Sequence, residues 1–206
     1  MVEPLRPSIM STSQPEIPIP VIEISGYLRG EPEATKSCAD KLRHALENVG
    51  FLQVVGHSVS ADLQRHFIEA VAAFFALPMA EKMKLDQDLS PCNRGYDPMG
   101  IERLEELEDS SEIEQKEGFK VRHERPLGRF LAGPNQWPDR NLPGMSDFRE
   151  TYMEYFEAVH QLSKIMFRLV ALSLDLDEHY FDEFAADPDG GFFPIQLEFL
   201  SPHADT

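Results

Sequence analysis

The chain has 206 residues, a length typical of one domain or one and a half, and its 42% hydrophobic content permits a substantial core. Its formal charge of −17 disfavours nucleic acid and anionic membrane surfaces as partners. No apolar run approaches the roughly 20 residues that span a bilayer, and the N-terminus lacks the pattern of a signal peptide. Cys38 and Cys92 lack metal-type spacing and fit a reduced, cytoplasmic setting.

The N-terminal quarter predicts two short strands around one helix. Residues 1–16 are rich in Pro, Ser and Glu and predict a flexible tail. The apolar run Val21–Ile24 follows two prolines and predicts a strand. An amphipathic pattern over Pro32–Val49 predicts a helix that ends at Gly50. The run Phe51–Val55 then predicts a buried strand.

A second helix is predicted after Ser60, whose side chain suits the N-cap. Leu77-Pro78 ends this helix, and a short helix is expected to continue through Lys84. The inward face of the second helix carries five apolar residues, namely Leu63, Phe67, Val71, Phe74 and Phe75.

The middle of the chain predicts mostly irregular structure. Residues 85–101 carry the Pro and Gly signals of a loop, and the acidic stretch Glu102–Glu117 indicates a solvated face or a mobile loop. Phe119–Val121 predicts a short strand. Residues 126–144 are again irregular, with repeated turn signals.

The longest predicted element is an amphipathic helix over Ser146–Ser173, with Ser146 as its N-cap. A short helix over Asp177–Phe184 and an alternating, strand-like run around Leu197 follow it. The apolar stripe of the long helix comprises Phe148, Tyr152, Tyr155, Phe156, Val159, Leu162, Met166, Leu169 and Val170.

Six short motifs occur in one order along the chain. They are Val21-Ile22-Glu23-Ile24, the run from Gly50 to His57, Phe74-Phe75-Ala76-Leu77-Pro78 with Glu81-Lys82, Arg94-Gly95-Tyr96 with Gly100 and Glu102, Lys116-Glu117-Gly118-Phe119, and the run from Gly133 to Pro138. In this order and at this spacing they resemble the N-terminal region of the isopenicillin N synthase-like family of non-haem Fe(II)/2-oxoglutarate-dependent dioxygenases.

The resemblance implies an α+β fold: a mainly helical N-terminal cap domain with a few short strands, followed by at most the first strand of a truncated jelly-roll core. The expected boundaries are a tail over 1–16, the cap domain over 17–187, and over 188–206 either the start of the truncated core or an aberrant C-terminal tail. In this family His57 is not a ligand, so a hydrogen-bonded structural role is expected for it. Tyr96, Phe119 and Trp137 are expected to be packing residues.

The family binds iron with a His-x-Asp pattern and a second histidine about fifty residues further on, because two imidazoles and a carboxylate leave open positions on Fe(II) for 2-oxoglutarate. An Arg-x-Ser then holds the cosubstrate. His203-Ala204-Asp205 has the His-x-Asp form, which makes His203 and Asp205 the candidate metal ligands. The competing interpretation is a chance match in an abnormal C-terminus, since the spacing from the preceding strand is short.

No second distal histidine and no Arg-x-Ser follow this motif, and a jelly roll needs roughly a hundred residues. The resemblance therefore implies the N-terminal portion of an oxidoreductase acting on a small molecule by hydroxylation, desaturation or ring closure, not catalytically complete in this chain. No residue is assigned to catalysis or to cosubstrate binding. The alternative is a non-catalytic cap domain that serves as a binding or interaction module. The oligomeric state and the activity of the chain by itself stay open.

The long helix also contains Glu157-x-x-His160, which is half of a di-iron carboxylate motif. A di-iron site needs two such motifs and two further glutamates. The helical positions place Glu157 opposite the apolar stripe, so a solvent-exposed pair is expected instead.

Overall fold

The computed structural model describes residues 18–98, 116–128, 131–186 and 195–200. The chain divides into two compact units. One comprises the described residues up to His57 together with Leu169–Glu178, and the other comprises Ser58–Arg168 and the described residues from His179 onward. In chain order, the elements are β1 (Val21–Glu23), α1 (Ser25–Leu28), α2 (Pro32–Asn48), β2 (Gln53–Val55), α3 (Ala61–Phe75), α4 (Met79–Lys82), β3 (Gly95–Asp97), β4 (Lys116–Val121), α5 (Phe148–Ser173), α6 (Asp182–Ala186) and β5 (Ile195–Leu200).

The first unit contains a two-stranded parallel sheet, in which Val21 of β1 lies opposite Gln53 of β2. Both predicted strands are confirmed, although each is shorter than expected. The prediction that Phe51–Val55 is buried is wrong, since Phe51 is 72% exposed and Val55 is 42% exposed. The physical reason is that a two-stranded sheet buries one face, here through Ile22, and leaves the other face in solvent.

Helix α2 packs its apolar stripe, which includes Cys38 and Leu42, into the core of the same unit. Its predicted end is confirmed. Gly50 has a φ of +82°, and its N–H donates to the carbonyl of Ala45 at 3.0 Å. This left-handed residue closes the last turn of the helix at the position where glycine is favoured.

Helix α3 of the second unit begins as predicted, because the Oγ of Ser60 accepts a hydrogen bond from the N–H of Leu63 at 3.1 Å. Pro78 separates it from α4. A 3₁₀ turn over Met83–Leu85 follows α4, so the short helical region expected through Lys84 is present in two pieces.

The second unit contains an antiparallel sheet in the order β3-β4-β5. Gly95 lies opposite Lys120, and Phe119 lies opposite Leu197. The prediction of a loop over 85–101 is wrong at β3, and β4 begins at Lys116, three residues before the predicted start. A three-residue strand has almost no local signal, and it exists here because β4 supplies its hydrogen-bond partners.

The long helix α5 begins at Phe148 rather than at Ser146. The N–H of Thr151 donates to the carbonyl of Asp147 at 2.9 Å, which places Asp147 at the start of the first turn. The prediction that Ser146 is the N-cap is therefore wrong. Its Oγ instead donates to the carboxylate of Asp147 at 3.3 Å.

The predicted end of α5 at Ser173 is confirmed. The N–H of Leu176 donates to the carbonyl of Ala171 at 3.0 Å, and that of Asp175 donates to the carbonyl of Leu172 at 3.1 Å. Asp175 has a φ of +59°. This pair of hydrogen bonds is the Schellman arrangement, in which a left-handed residue ends the helix and satisfies its last carbonyls.

Helix α6 spans Asp182–Ala186. The prediction of a helix over Asp177–Phe184 is therefore wrong in its bounds, since the helix begins and ends later along the chain. Arg168 donates from Nε and Nη2 to the two carboxylate oxygens of Asp182, each at 2.9 Å, and His179 Nδ1 lies 2.8 Å from the same carboxylate. These contacts hold Asp182 at the first position of the helix.

The core of the second unit is aromatic. Phe74, Phe119 and Phe148 are each at most 2% exposed, and Phe119 and Phe148 form an edge-to-face pair with ring centroids 5.8 Å apart. This core joins α3 and the first half of α5 to the sheet. None of the helices in the described part of the chain is both long and apolar enough to cross a membrane.

Candidate functional site

The predicted metal ligands His203 and Asp205 lie outside the described residues. Within the described part of the chain, no three His, Cys, Asp or Glu side chains are grouped as metal ligands would be. The nearest described element is β5, which pairs with β4 along its whole length, from Ile195 opposite Val121 to Leu200 opposite Lys116. The His-x-Asp motif therefore begins two residues after the end of a strand that the sheet holds in register.

The neighbouring end of the sheet contains a buried polar network. Lys82 of α4 and Glu117 of β4 are each 5% exposed, and Lys82 Nζ donates to Glu117 Oε2 at 2.6 Å. Tyr96 Oη of β3 donates to the same oxygen at 2.5 Å. Lys82 also donates to the carbonyl of Phe75 at 3.1 Å. Every charge in this network is thus paired, as the low-dielectric interior requires.

Tyr96 stays protonated in this setting. Burial raises the pKa of its phenol far above the ordinary value, and the adjacent Glu117 carboxylate raises it further. The hydroxyl is therefore a permanent donor to Glu117. The ring of Tyr96 also lies 5.3 Å from Lys82 Nζ, a cation–π distance. The three groups hold one another in place.

A second polar cluster lies further along β3 and β4. Lys120 Nζ is 2.8 Å from Asp97 Oδ2 and donates to Gln87 Oε1 at 2.7 Å. Gln87 Nε2 donates to Asp97 Oδ1 at 2.7 Å. The first cluster links the sheet to α4, and the second links it through Gln87 to the segment that follows α4. Since each carboxylate has a lysine partner, the arrangement favours precise placement of β4 over proton transfer.

Sequence reasoning missed both clusters. Glu117 was expected within a solvated acidic stretch, and that expectation is wrong for Glu117, while residues 102–115 of the stretch lie outside the described residues. The sequence signal for the burial of Glu117 was the position of Lys116-Glu117 immediately before an apolar run. When a strand begins within the interior of a sheet, its first charged residues are buried with it. For Lys82, which lies shortly after Pro78, the sequence gave no such signal of burial.

The remaining candidates are structural, as expected. Tyr96 and Phe119 are at most 1% exposed, and Trp137 packs against the core that they form. Glu157 is exposed, and its Oε1 accepts from Gln161 at 2.5 Å. The expectation of a solvent-exposed pair is wrong for His160, which is half-buried and lies 5.0 Å, ring to ring, from His123.

His57 is half-buried, and its Nδ1 has no hydrogen-bond partner among the described residues. The prediction of a hydrogen-bonded structural histidine is therefore wrong at that atom. Cys38 and Cys92 are both buried and free, and burial raises the pKa of the Cys38 thiol.

A family model described as "non-haem dioxygenase in morphine synthesis N-terminal" matches residues 19–140. The 2-oxoglutarate-Fe(II) type oxidoreductase hxnY of Emericella nidulans is 37% identical over 170 residues, which are 79% of this chain and 48% of the relative. Clavatol oxidase claD of Penicillium crustosum is 33% identical over 184 residues, which are 83% of this chain and 54% of that protein. The chain thus spans about half the length of the curated relatives it matches.

Solved structures agree with the sequence relatives. The C-terminally truncated apo form of a Neurospora crassa protein superimposes with a TM-score of 0.70 and 26% identity, covering 87% of this chain and 61% of that one. The full-length form of the same protein, solved with alpha-KG and thymine, gives a TM-score of 0.68 and 25% identity, with coverage of 80% and 51%.

The fold and these matches define a class, the oxygenases that use Fe(II) and 2-oxoglutarate. Because the family model covers more than half of the sequence, the chain belongs to the non-haem Fe(II)/2-oxoglutarate-dependent dioxygenase family, of which it carries the N-terminal domain. The resemblance predicted from the six motifs is confirmed.

Proposed function

We propose that this chain is the N-terminal portion of an Fe(II)/2-oxoglutarate-dependent oxidoreductase that acts on a small molecule by hydroxylation, desaturation or ring closure. The observation that carries the proposal is the family match over residues 19–140. The names of its relatives as 2-oxoglutarate-dependent oxidoreductases support it further. The thymine complex of the Neurospora crassa protein supports a small-molecule substrate.

In this proposal His203 and Asp205 are two of the iron ligands. Their donor chemistry fits, since an imidazole and a carboxylate make up two thirds of a facial triad. Fe(II) held there would, with 2-oxoglutarate as cosubstrate, activate O₂, which is the oxidant. The pairing of β5 with β4 supports the assignment, because it anchors the strand that leads into the motif. The third ligand, a second histidine, does not follow His203 in the given sequence.

The proposed organisation assigns residues 17–187 to the cap domain and 188–206 to the start of the jelly-roll core, with β5 as its first strand. In this arrangement the described residues serve to position the first strand of the core. The Lys82–Glu117 and Lys120–Asp97 pairs fix β4, and β4 fixes β5. A cytoplasmic location belongs to the same proposal, and two free cysteines are consistent with it.

The decisive experiment is to sequence the gene or transcript beyond the codon for Thr206 and to express the chain with whatever that sequence encodes. We expect a second histidine about fifty residues after His203 and an Arg-x-Ser further on, and succinate release from 2-oxoglutarate by the extended protein. A His203→Ala version should lose that release. A downstream sequence without these residues, or an extended protein that leaves 2-oxoglutarate intact, would contradict the proposal.

The 206-residue chain by itself should not assemble the iron–cosubstrate centre, because it offers at most two of the three ligands and lacks the cosubstrate arginine. Anaerobic titration with Fe(II) and 2-oxoglutarate should therefore give no metal-to-ligand charge-transfer band. A clear band would show that another group completes the site and would overturn the claim of catalytic incompleteness.

A further inference from the structure

Two histidines from different elements lie side by side in the second unit. His123 follows the end of β4, and His160 lies near the middle of α5. Their ring centroids are 5.0 Å apart, and the ring planes are inclined to each other at 83°. Both side chains are half-buried. The pair therefore lies where the core meets the solvent.

A buried aromatic ring on α5 supports this arrangement. Phe156 is fully buried and lies one helical turn before His160, so both residues belong to the same face of the helix. The ring of His123 packs edge to face against Phe156, with the two ring centroids 4.8 Å apart. Two ring contacts thus place His123 over that face of α5.

The backbone next to His123 is also held in place. The N–H of Arg122 donates to Asn135 Oδ1 at 3.0 Å, and the carbonyl of Arg122 accepts from Asn135 Nδ2 at 2.7 Å. The imidazole of His123 makes no hydrogen bond with a described residue. Its position is therefore set by packing and by the neighbouring backbone, and its ring nitrogens are not used by the described fold.

The separation of the two rings matches that of two imidazoles bound to one metal ion. Zn–N bonds are about 2.0–2.1 Å long, which puts the centroid of a bound imidazole roughly 3.2 Å from the ion. On a tetrahedral ion, two such centroids are roughly 5 Å apart. The separation of His123 and His160 is 5.0 Å. An ion could thus be bound with little movement of the backbone.

Both imidazoles are neutral above pH 7, which is the form that binds a metal. Burial lowers the pKa of each ring below the ordinary value of 6.5. Lys164 lowers the pKa of both rings further and Arg125 lowers that of His123, whereas the carboxylate of Glu157 raises both. Among these neighbours Glu157 favours a bound cation, and the lysine and the arginine oppose it.

We propose that His123 and His160 form a binding site for a divalent transition-metal ion that prefers imidazole nitrogen, with Zn²⁺ as the representative. In the described part of the chain no third His, Cys, Asp or Glu side chain is grouped with them, so water supplies the other positions. Two protein ligands hold an ion less tightly than the four of a structural zinc site, and a dissociation constant roughly in the micromolar range is expected. The site goes beyond the proposed oxidoreductase function, since it uses neither His203 nor Asp205.

The test is calorimetric titration of the 206-residue chain with ZnCl₂ at about pH 7.5, without iron or 2-oxoglutarate, and with MgCl₂ as the comparison. Mg²⁺ prefers oxygen ligands, so Zn²⁺ should bind and Mg²⁺ should not. Equal heats for the two ions would overturn the proposal, because imidazole ligands would then have no part in the binding.

The sequence contains seven histidines, so variants are needed to assign the bound ion. Loss of a group that only orients a metal ligand typically costs about 10- to 100-fold in affinity, and loss of a direct ligand should cost at least as much. His123→Gln and His160→Gln should therefore each weaken Zn²⁺ binding at least tenfold. The matched control is His66→Gln, at an exposed position on α3, which should bind Zn²⁺ as the parent does.

His203→Ala separates this site from the proposed iron motif and should retain the Zn²⁺ affinity of the parent. If His203→Ala abolishes binding while His123→Gln does not, the ion is held by the His-x-Asp motif and the proposal is wrong. Unchanged affinity in either His123→Gln or His160→Gln would also overturn it, and would indicate that the two rings only pack against each other.

A measurement on the unsubstituted chain covers the case in which a variant fails to fold. On addition of Zn²⁺, the imidazole C–H signals of His123 and His160 in the NMR spectrum should shift or broaden together, and the signal of His66 should not. Unchanged signals from either ring of the pair would reject the site. Because iron and 2-oxoglutarate are absent from these measurements, failure here leaves the proposed oxidoreductase function untouched.

Discussion

At the scale of single residues, the buried Lys82–Glu117 pair sets the stability of the sheet. Glu117→Gln removes the negative charge and leaves Lys82 inside the protein without a counter-ion, 5% exposed. Breaking a buried pair in this way typically costs about 3–5 kcal/mol. We expect a loss of that size in the free energy of unfolding measured by urea denaturation.

The exposed Lys84–Glu81 pair supplies the control for that measurement, because its Nζ–Oε2 distance is 2.5 Å but the Lys84 side chain is 65% exposed. Glu81→Gln should cost less than about 1 kcal/mol. A Glu117→Gln protein that is no less stable than Glu81→Gln would mean that Lys82 is hydrated in solution.

Residue-scale electrostatics also predict a pH dependence. Burial lowers the pKa of His123 and His160 below the ordinary value of 6.5, Lys164 and Arg125 add to the effect at His123, and Glu157 opposes it. The unfolded chain therefore binds these protons at higher pH than the folded one. Their contribution to stability is complete above pH 6.5 and is lost as the pH falls through 6.5 towards the lower folded-state values.

Thermal melting between about pH 8 and about pH 5 measures this loss. His123→Gln should flatten the decline in melting temperature below pH 6.5, whereas His66→Gln, at an exposed position on α3, should leave it unchanged. If the melting temperatures of the parent and the His123→Gln protein fall in parallel as the pH is lowered, carboxylates and not this histidine cause the loss of stability.

At the scale of elements, β3 depends on a glycine. Gly95 has a φ of +101°, and a Cβ there would lie 2.1 Å from the carbonyl oxygen of Leu85 and 2.6 Å from Gln136 Nε2. Gln136 Nε2 itself donates to the carbonyl of Arg94 at 2.7 Å, so the clash disturbs a hydrogen bond at the start of the strand. Gly95→Ala should cost about 2–5 kcal/mol, the sum of left-handed strain and overpacking.

Gly30→Ala is the matched control, since Gly30 has a φ of +72° but nothing lies within 4 Å of its added Cβ. It should cost only the backbone strain, about 1–2 kcal/mol. Equal losses of unfolding free energy in the two variants would indicate that the 85–86 segment moves away freely and does not constrain β3.

At the scale of the whole molecule, the two-stranded sheet of the first unit predicts self-association. Val21 is 54% exposed and Phe51 is 72% exposed, and strands β1 and β2 pair only with each other among the described elements. Exposed strand edges and apolar patches promote pairing between chains. The charge of −17 opposes this only weakly, since salt screens it beyond about 8 Å.

Light scattering of the purified chain should therefore show an apparent mass that rises with concentration, and Phe51→Ser should reduce the rise. Ile68→Ser is the control, because Ile68 is a similarly exposed residue, 66%, on the surface of α3 rather than at a sheet edge. A monodisperse monomer at all concentrations would contradict the prediction.

The sequence by itself determined the long helices, the ends marked by Ser60 and Gly50, and the family, because helical periodicity and turn chemistry are encoded by residues close to one another in the chain. It did not determine β3 or the burial of Glu117. Those depend on which distant segments meet: β3 is a strand because β4 lies beside it, and Glu117 is buried because Lys82 and Tyr96 converge on it. Only the tertiary structure brings such partners together, since their interaction energy is absent until the chain has folded.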